Sequence, residues 1–317
     1  MSLKIDIHHH IFAPFFMEAK LDSAKKVGWR TPAENLPWSL SNSLAIMDHL
    51  SIGAAILSYP AGIPEKMGQR SVSKPGSQGG DGDDWDEIAK ERGRDAVRKM
   101  NVYAKELCES EEAQGRFGWF SCLPDLRDVE GSLREIQYAL DTLRADGVSL
   151  SSSYGEGSDG VYLGESRFDA IWEELNNRSA VVFIHGTQTP SSKPYPHECL
   201  GLPVTEVPSE TFKAAAHLVV TGTKRRYPKV NIILAHFGGN VGALIPRVAA
   251  LSAHMGSVLT AEEIIEDLCS FYLDSALSAH ESTLRHVEGL VGRGRMLFGT
   301  DYPGQSGLIS VHVPRHN

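Results

Sequence analysis

Five side chains in this sequence share a type and a setting suited to metal-dependent catalysis. His8 and His10 close the apolar run at residues 3–8. Residues two apart in a strand project to the same face, so this pair points together while His9 points away. His185 ends Val-Val-Phe-Ile-His, His236 ends Ile-Ile-Leu-Ala-His, and Asp301 follows Met-Leu-Phe-Gly-Thr. Imidazoles and carboxylates bind zinc-like ions, and a catalytic centre keeps an open position beside three or four protein ligands. A His-x-His pair alone is a weak signal, because histidines in ordinary proteins mostly end in hydrogen bonds or water. A single polar residue at a strand end is equally ordinary. Four strands that all end in ligand-type side chains are not what chance delivers.

Those strand ends need a scaffold that gathers them. Short apolar, β-rich runs occur at residues 3–8, 54–59, 117–123, 147–152, 180–185, 231–236, 271–275 and 296–300. Several are apolar on both faces, as in Ala180-Val181-Val182-Phe183-Ile184, which suits a parallel sheet covered by helices. Between them, apolar residues at helical spacing predict helices over 41–50, 129–143, 166–177, 210–226, 262–269 and 278–291. Eight strands alternating with helices predict an α/β fold, a (β/α)8 TIM barrel, whose catalytic groups collect at the C-terminal strand ends. A doubly wound open sheet is the other arrangement of such elements, but no Gly-x-Gly-x-x-Gly follows the first strand. We read residues 1–317 as one barrel domain with two interruptions. Residues 63–84, rich in Gly, Ser, Lys and Asp, cannot bury a core and read as a flexible insertion. The stretch 304–317 reads as an irregular tail in which we find no eighth helix.

Composition narrows the function classes. The chain has 317 residues, 41% hydrophobic and 22% charged, ordinary for a globular protein. A net charge of −9 and the lack of a basic stripe give no support to a nucleic-acid partner. No apolar run reaches bilayer length, and the N-terminus does not read as a signal peptide, so a membrane association is not expected. The four cysteines, Cys108, Cys122, Cys199 and Cys269, form no Cys-x-x-Cys pair and read as reduced thiols in a cytoplasmic protein.

The segments Ile-Asp-Ile-His-His-His, Val-Phe-Ile-His, Leu-Ala-His-Phe-Gly-Gly and Leu-Phe-Gly-Thr-Asp-Tyr-Pro together resemble the amidohydrolase-related decarboxylases. That group includes the aminocarboxymuconate-semialdehyde, γ-resorcylate, isoorotate and 6-methylsalicylate decarboxylases. The similarity runs over residues 4–303, and the stretch 147–164 is most similar to the 6-methylsalicylate branch. The resemblance implies that His8, His10, His185 and Asp301 bind one divalent ion, with His236 as the acid/base beside them; Asp301, after picking up a proton, is the other candidate catalytic donor. It implies a substrate contact for Asn101. Tyr154 is a candidate aromatic surface for the same substrate, although aromatics at such positions more often pack. It also implies assembly as a homodimer or homotetramer. The sequence departs from the pattern at Gly186, where relatives commonly have Pro, and after Pro303, where the similarity ends.

The expected function is non-oxidative, metal-dependent decarboxylation of a small aromatic carboxylate such as 6-methylsalicylate, an activity of secondary metabolism. Zinc is the expected ion, with manganese next, because a His-rich set with one carboxylate suits either. A lactonase or amidohydrolase would use the same groups, and a truncated, catalytically impaired barrel is the third reading. Asp274, Trp119, Glu206 and His197 are weaker candidates, each as well explained by packing or a structural hydrogen bond.

Overall fold

The computed structural model describes residues 4–17, 38–60, 87–155, 160–187, 197 and 200–304. The 63–84 insertion and the tail beyond Gly304 lie outside the described residues. Eight strands form one parallel sheet. They are β1 (Lys4–His10), β2 (Ile52–Ser58), β3 (Phe117–Cys122), β4 (Gly147–Ser151), β7 (Val181–His185), β8 (Asn231–Leu234), β9 (Tyr272–Asp274) and β10 (Met296–Leu297). A two-residue antiparallel pair, β5 (Ser153–Tyr154) and β6 (Val161–Tyr162), sits in the connection after β4. The sheet closes on itself. Ile7 N donates to Phe298 O at 3.0 Å, Asp301 N to His8 O at 2.8 Å and His10 N to Tyr302 O at 2.6 Å. The expected (β/α)8 barrel is the observed one.

Seven of the eight strands send side chains into one inner cluster. Phe120, Phe183, Ile233 and Ala235 are its buried members, and Ile7, Ile56, Tyr272 and Leu297 pack against them. Phe120 and Phe183 stack at 5.9 Å between ring centroids. Such layers fill a barrel, so the interior is a floor for the site and not a pore. Two larger clusters join the outer strand faces to the helices, one around Trp172, Phe168 and Leu218, the other around Phe16, Met47 and Met100.

The outer layer comprises α1 (Leu40–His49), α2 (Glu87–Glu109), α3 (Val129–Gln137), α4 (Asp169–Asn177), α5 (Leu202–Val220), α6 (Val241–Ser252), α7 (Ala261–Cys269) and α8 (Glu281–Val291). Local sequence starts several of them. Ser39 accepts from Asn42 N at the head of α1, and Thr260 with Glu263 forms a capping box on α7. Two helices lack a counterpart in the sequence reading. The 23-residue α2 buries only Gly93, Val97, Met100, Asn101 and Ala104 among many charges, so its apolar stripe is thin. Helix α6 contains Pro246, which reads as a break. Helix α5 begins at Leu202, eight residues before the predicted start. Pro203 lies in its first turn, where a missing N–H costs nothing, and Pro208 lies inside it.

Candidate metal centre

Strand β1 carries three consecutive histidines, all buried, and sorts them between its two faces. His9 turns outward. Its Nδ1 meets Asp6 Oδ2 at 3.0 Å and its Nε2 meets Ser43 Oγ of α1 at 2.9 Å. His8 and His10 turn inward, with their Nε2 atoms 3.2 Å apart. The register of β1 against β2 shifts between Asp6 and His9. The fully buried Asp6 carboxylate holds that irregularity. Besides the His9 ring it accepts from His8 N at 3.1 Å, Thr300 N at 3.0 Å and Thr300 Oγ1 at 2.6 Å. Four donors saturate a carboxylate. Asp6 thereby ties β1 to the loop that bears Asp301.

His185 ends β7, and Asp301 follows β10 with a left-handed backbone, φ 63°. The structure brings His8, His10, His185 and Asp301 together, so that one ligand atom from each lies within 4.8 Å of the others. Asp301 Oδ1 is 3.1 Å from His8 Nε2 and 2.9 Å from His10 Nε2. The hydrogen bonds on the far side of each ring assign the tautomers. His8 Nδ1 faces Asp274 Oδ2 at 3.0 Å, His10 Nδ1 faces Ser58 O at 3.2 Å, and His185 Nδ1 faces Gly186 O at 2.8 Å. Carbonyls and carboxylates only accept, so each Nδ1 carries a proton and each Nε2 is the atom available to a cation. Three imidazole nitrogens and one carboxylate oxygen, converging and buried, fit a divalent transition metal.

The charge states fit the same reading. Burial works hardest on His8 and against its charge, yet the Asp274 and Asp301 carboxylates outweigh it and lift His8 to about 10. Burial, joined by the charges of His8, His236 and His10, pushes His185 well below the usual histidine range. Burial also lowers His10. Asp301 is held well below the carboxylate range because His8 and His10 overcome the opposing effect of burial.

His236 follows β8 on a strained turn. His236, Phe237, Gly238 and Gly239 all have positive φ, at 56°, 53°, 69° and 61°. Such backbone is costly for residues with a Cβ and is typical of functional turns. Its ring lies 4.9 Å from that of His8 and 5.3 Å from that of His185, and its Nδ1 donates to Ala276 O at 3.0 Å. That bond leaves Nε2 as the ring nitrogen not engaged by the backbone. A cavity of about 370 Å³ opens beside it, lined by Phe237, Leu277, Ser278, His280 and Thr283.

The turn is wedged under α5. A Cβ on Gly239 would stand 1.9 Å from Pro208 O, and one on Gly186 would stand 2.0 Å from Val207 O. The loops of His185 and His236 therefore rest against the same helical turn.

The structure does not gather every residue singled out above. Asn101, on α2, has its amide committed elsewhere: Nδ2 donates to Cys122 O at 3.0 Å and Glu135 Oε1 at 2.8 Å, and Oδ1 accepts from Cys122 N at 3.0 Å. It braces β3 against α2 and α3. Tyr154 accepts from Ser151 N at 3.1 Å and packs edge-on against Phe168 at 6.3 Å, so its ring belongs to the outer core. Trp119 is also core, Glu206 lies on α5, and His197 is exposed. Asp274, one of the weaker candidates, is fully buried against His8. Its signal was the same strand-end position, after Phe-Tyr-Leu. Asp6 and Ser43 carried no such signal, because the contacts that give them their place, to Thr300 and to His9 respectively, are distant in sequence.

Comparison with known proteins gives a consistent set of likenesses. The amidohydrolase family profile matches residues 5–311. The chain is 36% identical over 304 residues to a 6-methylsalicylic acid decarboxylase from Penicillium expansum, covering 95% of this chain and 85% of that protein. It is 35% identical over 310 residues to the 6-methylsalicylic acid decarboxylase acuB of Aspergillus aculeatus, covering 95% and 84%. Among solved structures, a dihydroxybenzoic acid decarboxylase from Polaromonas sp. JS666, with bound manganese and 2-nitroresorcinol, superposes with a TM-score of 0.78. That match has 22% identity and covers 96% of this chain and 88% of the other.

Proposed function

Because the chain belongs to the amidohydrolase family, we propose that it is a metal-dependent, non-oxidative decarboxylase of a small hydroxybenzoate-like acid, with 6-methylsalicylate the first substrate to test. The observation that carries this reading is the convergence of three Nε2 atoms and the Asp301 carboxylate beside His236. The 36% identity to a decarboxylase across 95% of the chain favours this chemistry over the hydrolysis that the same groups could serve.

His8, His10, His185 and Asp301 hold the ion in this reading, zinc first and manganese second. A bound divalent ion would polarise and orient the substrate's carboxylate and adjacent oxygen. Loss of CO2 breaks one C–C bond, and its electron pair takes up a proton at the same ring carbon. His236, once it carries a second proton on Nε2, delivers that proton to the carbon and returns to the neutral ring, whose Nδ1–H stays with Ala276 O. Asp301 is the second candidate proton carrier, its carboxyl held well below the carboxylate range by His8 and His10. General acid help of this kind contributes roughly 10²–10⁴-fold. The burial of His8, His10, His185 and His236 keeps water from competing for the proton.

No helix among the described residues is long and apolar enough to cross a membrane. A cytoplasmic enzyme assembled as a homodimer or homotetramer completes the proposal, and sedimentation velocity reads the assembly. The test of function is metal analysis of the purified protein together with CO2 release from a panel of hydroxybenzoates. About one zinc or manganese per chain with CO2 evolved supports the reading. Metal without CO2, but with turnover of lactones or amides, replaces it with a hydrolase.

A further inference from the structure

We propose that Asp274, at the C-terminal end of β9, is a positioning residue that dictates which nitrogen of His8 faces the metal position and anchors the His236 turn. The inference rests on the metal-centre reading above. Asp274 is fully buried, and its two oxygens have separate duties. Oδ2 meets His8 Nδ1 at 3.0 Å. Oδ1 accepts from Ala276 N at 2.8 Å and from His236 N at 3.3 Å. The loop closes through Ala276, whose carbonyl accepts from His236 Nδ1 at 3.0 Å. One carboxylate thus reaches the ring of one histidine directly and the backbone and ring of another through a single peptide.

His8, His236 and Asp274 also present atoms within 4.8 Å of one another, an arrangement that could suggest a second ion. The bonds argue otherwise. His8 Nδ1 and Asp274 Oδ2 satisfy each other, and Oδ1 already carries two N–H donors. Asp274, Ala276 and His236 form a closed hydrogen-bond circuit, to which His8 is joined through Asp274 Oδ2. A carboxylate has no proton to give, so its contact requires the Nδ1–H form of His8 and leaves Nε2 for the cation. Partners of this kind orient metal-bound histidines, and their loss typically weakens metal affinity about 10–100-fold.

The separation of duties makes the idea testable. Asp274→Asn keeps Oδ1 and its two backbone donors but places an NH2 against His8 Nδ1. His8 must then accept at Nδ1 and carry its proton on Nε2, facing the metal position. Asp274→Ala removes both oxygens, costs more structure, and leaves His8 free to choose its tautomer. The experiment is a chelator-competition titration of wild type and both variants with zinc alone, beside thermal melts of the metal-free proteins. We expect a Kd about 10–100-fold weaker in Asp274→Asn with a cooperative melt close to wild type. We expect a smaller loss of affinity in Asp274→Ala despite a lower Tm. A purely structural role predicts the reverse order, with alanine the worse binder. That order, an Asn variant binding zinc like wild type, or an Asn variant without a cooperative melt would each overturn the proposal. Failure of wild type itself to bind zinc would instead strike the metal-centre reading.

Discussion

Substituting alanine for Gly186 tests whether the approach of α5 sets the geometry of the site. The added Cβ would stand 2.0 Å from Val207 O and 2.7 Å from Thr211 Oγ1. The threonine can rotate, but the carbonyl is backbone within a helix. Reaching an ordinary contact of roughly 3.2 Å needs about 1.2 Å of relative movement. That movement falls on the residue next to His185, and metal sites tolerate only about 0.2 Å of ligand displacement. Overpacking of this size costs about 1–3 kcal/mol. Misplacement by about 1 Å near the chemistry can cost on the order of 100-fold in rate. The expected variant folds, melts a few degrees lower, loses metal affinity and loses about two orders of magnitude in kcat. The assay is CO2 release beside metal analysis and a thermal melt. Gly289→Ala is the control, because a Cβ there meets nothing within 4 Å on the exposed run of α8. It should raise stability by about 0.5–1 kcal/mol and leave turnover alone. A Gly186→Ala variant with wild-type metal content, rate and melting temperature would refute the reasoning.

Three further outcomes are expected. His8→Ala and Asp301→Ala should each abolish activity and strip the metal, whereas His236→Ala should abolish activity with the metal retained; metal analysis beside rate measurement separates the roles, and loss of metal in the His236 variant would place it among the ligands. Asn101→Ala should cost about 1–3 kcal/mol of stability, because Cys122 N and Glu135 lose a buried partner, while KM stays put; a raised KM without a lower Tm would restore Asn101 to the substrate. Cys108 is pushed up to about 12 by burial, with Asp146 and Glu109 adding to it, so it remains a thiol below that pH. Native protein at pH 8 should leave Cys108 unlabelled by iodoacetamide, as peptide mapping would show, and rapid labelling would contradict the burial.

Much of this arrangement can be read from the chain because its signals are local. Each of the eight barrel strands lies within a few residues of its predicted position, since a run such as Val-Val-Phe-Ile-His has apolar side chains for both faces and a polar end. The inward turn of His8 and His10 and the outward turn of His9 follow from strand alternation. The helices were harder to read. Pro246 and Pro208 disfavour helix yet lie inside α6 and α5, and the charges along α2 dilute its buried stripe. Asn101 illustrates the opposite limit. Its position matched a substrate-binding pattern, but only the packing of α2 against β3 and α3 shows how its amide is used. The strand-end position of Asp274 is visible in the sequence, but its pairing with His8, like that of Asp6 with Thr300, joins residues far apart along the chain and leaves no local trace.

The closure of the barrel imposes an order on biosynthesis. Asp6 and Thr300 are 294 residues apart in sequence, and Asp301 reaches His8 over a similar span. At about 5–20 residues per second, the ribosome makes Asp301 some 15–60 s after His8. Throughout that interval the first strand has β2 on one side and an unpaired edge on the other, and His8 and His10 lack their carboxylate. An open edge invites pairing with other chains. Contacts this remote are also slow to form, because the entropy of closing so long a loop must be met first. The nascent chain is therefore most exposed to aggregation just before its proposed metal ligands are complete, and β10, the last barrel strand among the described residues, both seals the edge and brings in the fourth of them.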